Sequence, residues 1–280
     1  MSTISLTKRI ATVLLTASLI TACDKVEVVT NNDNITRISD LSDAQLAKLT
    51  QKSYYFGHQS VGVNMVDGLN LLIAEHPALK LNIENSEDHA LLKPGSFLHS
   101  RVGKNRQPET KIAAFENVLD NGVGNLADIA SLKYCYVDAN VSVDPNQLFN
   151  TYKERIEKLK TKYPKTTFVH FTLPLKAIPT DFKTQLKGLL GTVPQIQMDN
   201  VTRGEYNDLL RKNYEGKDPI FDIAYFESIT ANTKKRHIFT ADGKRYETLA
   251  PENTNDGGHL SDTGKRWIAE QFVVFLAKLE

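Results

Sequence analysis

The sequence predicts a three-layer α/β/α fold around a mainly parallel, five-stranded sheet. Short runs rich in β-branched and aromatic residues alternate with amphipathic helical stretches from one end of the chain to the other. No internal repeat interrupts that alternation, and 280 residues suffice for one large core. A formal charge of +1 offers no electrostatic basis for a nucleic-acid partner.

The first 22 residues stand outside this domain. Lys8-Arg9 makes a short basic start, and the apolar run 10–20 is brief for a bilayer span. The run ends in Ile20-Thr21-Ala22-Cys23, with small residues directly before a cysteine. This stretch resembles a bacterial lipobox, which implies cleavage before Cys23 and lipidation of that residue. An ordinary cleaved signal or an uncleaved anchor is the competing reading. Asp24 resembles an inner-membrane retention signal, so the expected location is the periplasmic face of a bacterial envelope membrane. Removing residues 1–22 takes away Lys8 and Arg9 and no acid, moving the formal charge from +1 to −1. With Cys23 lipidated, Cys135 has no disulfide partner and is expected as a small buried residue. Residues 23–40 contain Asn31-Asn32-Asp33-Asn34 and are expected to tether a single domain, 41–280.

Within that domain, Ser42-Asp43 opens a short helix and residues 53–56 form the first strand. Val63, Val66, Leu69, Leu72 and Ile73 recur at helical spacing over 60–75, and His76-Pro77 ends the helix. Leu79, Leu81 and Ile83 alternate with polar residues, which predicts the second strand. Residues 86–107 are expected as a long loop, basic around Arg101, Lys104 and Arg106. Pro108 starts a helix that Asn121-Gly122 stops. The third strand is expected within 129–137, strongest over 132–137. Pro145 opens a long helix, and residues 166–173 form the fourth strand, ended by Pro174. A loop with one weak helix runs to about residue 200, before a helix marked by Tyr206, Leu209, Leu210 and Tyr214. Residues 219–223 make a short fifth strand, and 227–258 reads as a polar insertion. Ser261 caps a last helix whose buried face is Trp267, Ile268, Phe272, Phe275 and Leu276. His170, inside a strand, is expected as a hydrogen-bonded core residue.

Sites in parallel sheets lie beyond the carboxyl ends of the strands. That rule singles out Gly57-His58-Gln59-Ser60, the exit at Asp138 to Asn140, Pro174 to Lys176 after the fourth strand, and the loop before the last helix. Ser60 stands where a strand turns into a helix, a position that suits an exposed nucleophile and equally suits an N-cap. The last loop reads Asn255-Asp256-Gly257-Gly258-His259-Leu260-Ser261. Its imidazole could act as base on a serine hydroxyl, with the aspartate fixing the tautomer. A polar turn with a solvent-facing histidine fits the same residues.

Together the two blocks resemble the SGNH/GDSL hydrolase family, which implies a flavodoxin-like sheet and cofactor-free ester hydrolysis. Carried over, Ser60 is the nucleophile, His259 the base and Asp256 its orienting acid. The resemblance implies an oxyanion hole built from the Ser60 N–H, a glycine N–H (Gly103, or Gly95) and a side-chain donor, Asn140. The opening block departs from the family's Gly-Asp-Ser, leaving His58, Gln59 and Asp138 as pocket candidates. An ionised Asp138 would weaken an oxyanion hole, since it can only accept hydrogen bonds. A small-molecule or glycan ester is the implied substrate, with the membrane engaged only through the lipid anchor. The rival function is an envelope binding module with the same cleft and no chemistry. His58, His259 and Asp256 are permissible zinc ligands, but their spacing matches no metal signature, and no metal is expected.

Overall fold

Six strands, one more than expected, form the central sheet of the computed structural model, which describes residues 26–31, 33–179 and 193–279. They are β2 (Tyr54–His58), β3 (Asn82–Asn85), β4 (Ser96–Arg101), β5 (Ile129–Leu132), β6 (Thr167–Phe171) and β7 (Ile220–Phe221). The order is β3-β4-β2-β5-β6-β7, and every neighbouring pair is parallel. A separate antiparallel sheet joins β1 (Glu27–Thr30), β8 (Lys235–Ala241) and β9 (Lys244–Glu247). The helices are α1 (Asp43–Leu49), α2 (Val61–Glu75), α3 (Pro108–Val118), α4 (Pro145–Lys162), α5 (Gln195–Tyr214), α6 (Ile223–Glu227) and α7 (Asp262–Lys278).

Strand periodicity explains the three layers. Successive residues of β2 face opposite sides, and both sides are covered by helices. Tyr54 and Phe56 join the core made with α2 and α7, whereas Tyr55 joins the core made with α3, α4 and α5. Burial on both faces is why β2 reads as an unbroken apolar run rather than an alternating one. Phe56, Phe171, Phe221 and Phe272 form an aromatic centre under α7, with neighbouring ring centroids 4.9–6.1 Å apart.

Several expectations are corrected. The supposed loop 86–107 contains β4, a central strand. It escaped notice because only Phe97 and Leu98 are large apolar residues, although Ser96 and Ser100 are buried as well. β5 ends at Leu132, and the apolar stretch beyond it packs into the sheet edge as a loop. The expected insertion 227–258 holds the β8–β9 hairpin. The described part of the expected tether is built into the domain: β1 pairs with β8, and Ile35 and Ile38 are buried. Residues 1–22, Cys23 and Asp24 lie outside the described residues. So do residues 180–192, within the loop expected to carry a weak helix. No helix among the described residues is long and apolar enough to cross a membrane.

α2 and α7 pack closely where Gly68 meets Lys265 and Ala269. A Cβ on Gly68 would lie 2.2 Å from the Lys265 carbonyl oxygen and 2.8 Å from the Ala269 Cβ. Gly68→Ala is therefore expected to force the two helices apart and cost about 1–3 kcal/mol. A lower denaturation midpoint at unchanged m-value would register it.

Candidate active site

β2 delivers Ser60 through a tight and strained turn. Ser60 has φ 43° and ψ −102°, a left-handed conformation rare for a residue with a side chain. The turn is held on several sides. The Gly62 N–H donates to the Gln59 carbonyl at 2.8 Å, and the Val63 N–H donates to the Ser60 carbonyl at 2.8 Å. The Gln59 amide reaches across to the carbonyls of Val102 (3.3 Å) and Gly103 (2.9 Å). Ser60 accordingly caps α2 with no side-chain hydrogen bond, leaving its hydroxyl to other partners.

That hydroxyl lies 2.7 Å from His259 Nε2. The other ring nitrogen, Nδ1, lies 2.6 Å from Asp256 Oδ2. Since an ionised carboxylate only accepts, Nδ1 carries the proton and Nε2 presents its lone pair to Ser60. Asp256 Oδ1 also accepts from the N–H groups of Gly258 (2.8 Å) and His259 (2.7 Å), so the closing loop folds around its own carboxylate. The His259 hydrogen bond and these two amides hold the Asp256 carboxyl well below the usual carboxylate range, so it is ionised at neutral pH. Asn64 on α2 accepts the Leu260 N–H at 3.1 Å and ties this loop directly to the helix that Ser60 begins.

Gly103 follows β4, beside the Ser60 turn. Its φ of +60°, and a Cβ position that would fall 2.4 Å from the Lys111 backbone nitrogen, admit only glycine. Neither its N–H nor that of Ser60 donates to any group among the described residues. Gly95, the alternative, lies before β4, at the opposite end of the strand from Ser60.

The remaining candidates have other partners. Asn140 Oδ1 accepts from the N–H (2.9 Å) and hydroxyl (2.6 Å) of Ser142 in the loop after β5. Asp138 is buried. It pairs with buried Lys111 and accepts the N–H groups of Cys135 (2.7 Å) and Arg106 (2.9 Å). The ion pair joins α3 to the turn after β5, and the Arg106 N–H ties the loop after β4 to the same carboxylate. His58 is also buried, stacked on Phe56 and bonded to His99 Nδ1 at 3.0 Å, so it supports the strand rather than the cleft. His170 is a core residue, its Nδ1 2.9 Å from the Tyr152 hydroxyl. No cluster of three or more metal-ligating side chains occurs among the described residues.

Tyr136, and the side chains that hold the loop after β6, were not legible as part of the site. Tyr136, in the turn after β5, sets its ring edge-on to His259 with centroids 5.8 Å apart. Its hydroxyl is 3.5 Å from His259 Nε2. The loop after β6 is pinned by three buried side chains. Asn207 bonds both the N–H (2.6 Å) and carbonyl (3.1 Å) of Leu173. Glu227 accepts from Leu175 at 2.7 Å, and Asn200 bonds both backbone groups of Lys176 at 3.1 and 2.7 Å. The Ala177 N–H then donates to the Gly257 carbonyl at 2.9 Å, linking this loop to the Asp256–His259 turn. A larger cleft of about 730 Å³, lined by Arg37, Leu72, Glu75, Arg266, Trp267 and Glu270, lies at the far end of α2. A helix of this length spans about 20 Å, so that cleft is remote from Ser60.

No protein-family model and no curated protein matches the sequence. Solved structures with a similar layout include a lipase/acylhydrolase from Enterococcus faecalis (14% identity, 80% of this chain and 94% of that one, TM-score 0.43). Others are the periplasmic domain of a lipopolysaccharide acetyltransferase from Salmonella ser. Paratyphi A (13%, 78% and 81%, 0.41) and phospholipase A1 from Streptomyces albidoflavus NA297 (15%, 80% and 98%, 0.38). Likenesses at this level say nothing about activity, so the chemistry rests on the site's own atoms.

The buried histidines give a pH test of the fold beneath the site. Burial first, then His99, Lys133 and Arg101, push His58 down to about 2. Burial also outweighs Asp218 to bring His170 down to about 4. Both stay neutral in the folded chain at pH 5, whereas unfolded imidazoles protonate below about 6.5. Their contribution is therefore full above pH 6.5 and is lost as pH falls, at up to about 1.4 kcal/mol per pH unit for each. Chemical denaturation at pH 7 and pH 5 is expected to differ by about 2–4 kcal/mol from these two residues. His58→Asn should remove about half of that difference.

Proposed function

We propose that this protein is a serine ester hydrolase of the SGNH/GDSL type. The observation that carries the proposal is the unbroken hydrogen-bond chain from Asp256 through His259 to Ser60 at the carboxyl edge of a parallel sheet. In this scheme His259 Nε2 takes the Ser60 proton as Oγ attacks an acyl carbonyl. Asp256 holds the imidazole in the required tautomer and stabilises the imidazolium. The carbonyl oxygen becomes an oxyanion in front of the free Ser60 and Gly103 N–H groups. Such donors are worth about 3 kcal/mol each in the transition state. His259 then returns the proton to the leaving alcohol, and water, or a second alcohol, removes the acyl group from Ser60. No metal or cofactor enters these steps.

The strained Ser60 turn supports the assignment, because a simple helix cap needs no left-handed backbone and would hydrogen-bond its own helix. Substrates are proposed to be small esters or O-acylated glycans or lipids of a bacterial envelope, with Cys23 as the lipid anchor.

Turnover of 4-nitrophenyl acetate is expected to fall by about 10⁴-fold or more in Ser60→Ala, and a fluorophosphonate should label Ser60 in the unaltered protein. Full turnover by that variant would sink the assignment. The anchor has its own check: cells fed labelled palmitate should label the protein, and Cys23→Ala should not be labelled.

A further inference from the structure

We propose that the Tyr136 hydroxyl is the third hydrogen-bond donor to the oxyanion formed at Ser60. The inference rests on the reading of Ser60 as nucleophile, and adds a residue that neither the opening nor the closing block contains.

The sheet order supplies the placement. β4 and β5 flank β2, so the Gly103 loop and the Tyr136 turn rise on opposite sides of the Ser60 turn. A side chain after β5 can therefore face the same carbonyl oxygen as the Gly103 N–H. The Asn140 amide oxygen is taken up by Ser142. Tyr136 does reach the reacting atoms: its hydroxyl is 3.5 Å from the His259 nitrogen that accepts the Ser60 proton.

The ring is built into this position. The Arg203 guanidinium, buried, donates through Nε to the Tyr136 carbonyl at 2.8 Å, and its charge sits 5.9 Å from the ring centroid. The Lys176 ammonium lies 5.5 Å from the same centroid. Its own backbone is fixed on both polar groups by Asn200. Gly258 provides the clearance: a Cβ there would fall 3.0 Å from the Tyr136 hydroxyl. Two cations near one phenol ring draw electron density from it and make the O–H a stronger donor. Burial, followed by the charge of Asp256, nevertheless raises its pKa, so the proton stays on the oxygen at neutral pH.

In the addition step the Ser60 Oγ–C bond forms and the carbonyl π pair moves onto oxygen, while the Ser60 proton passes to His259 Nε2. Tyr136 keeps its proton throughout and contributes only the hydrogen bond. That bond strengthens as charge develops, so it acts on the transition state more than on bound substrate.

The experiment compares Tyr136→Phe with the unaltered protein on a series of aryl acetates of graded leaving-group pKa. The Phe ring preserves the edge contact with His259, so only the hydroxyl is lost. Loss of about 10²–10³-fold in kcat, with little change in KM and the same factor for every leaving group, is expected. The thermal unfolding midpoint should stay unchanged. Lys176→Met should lower kcat in the same direction by a smaller factor. Activity within threefold of the unaltered protein would overturn the proposal. A loss confined to poor leaving groups would also overturn it, assigning the hydroxyl to the leaving oxygen. Either result leaves Ser60 as nucleophile if Ser60→Ala is inactive, whereas an active Ser60→Ala removes the underlying assignment itself.

Discussion

The Ser60–His259 hydrogen bond joins residues 199 positions apart and depends on how closely α2 and α7 pack. Each residue stands just before the helix it introduces, so any sliding of one helix along the other moves donor and acceptor apart. Gly68 lets the α7 backbone approach α2 without a side chain between them, and the Asp67–Lys265 ion pair crosses the same contact at 3.2 Å. Asn64 adds a direct bond to the closing loop. A 2.7 Å contact at the sheet edge is thus set by packing along the two helices.

Around that contact the polar groups are arranged as fasteners between loops. The buried Lys111–Asp138 pair joins α3 to the turn after β5, the Arg106 N–H brings in the loop after β4, and Asn200, Asn207 and Glu227 secure the loop after β6. Buried polar groups of this kind are costly unless every hydrogen bond is made, and when made they favour one arrangement over its alternatives. The two apolar cores on either face of the sheet supply the hydrophobic stabilisation. The fasteners decide where the loops stand, and loops must be accurately placed if their N–H groups and hydroxyls are to meet one developing charge.

The same arrangement explains the unusual opening block. Where relatives of the resembled family place one acidic residue before serine, this chain has two neutral ones with different duties. His58 is taken into the core under α2, and Gln59 reaches sideways to hold the Gly103 carbonyl. Gln59 thereby links the Ser60 turn to the Gly103 segment. The extra residue changes how the turn is supported while leaving Ser60 opposite His259.

From the sequence alone came the α/β layout, most strands of the parallel sheet, and the two end blocks holding Ser60, Asp256 and His259. These are local signals: helical and strand periodicities, glycines at turns, and a carboxylate three residues from an imidazole. Beyond its reach were β4, whose short apolar content is outweighed by buried serines, and the hairpin β8–β9, whose polar residues resemble an insertion. The true end of β5 was equally hidden, because Tyr134, Cys135 and Tyr136 are buried without being a strand. Most tellingly, Asn140 and Tyr136 both follow β5, and nothing local says which one faces Ser60. The tertiary structure brings the Tyr136 hydroxyl to 3.5 Å from His259 Nε2 and turns the Asn140 amide oxygen to Ser142, with Arg203 and Lys176 around the Tyr136 ring, partners that chain order does not announce.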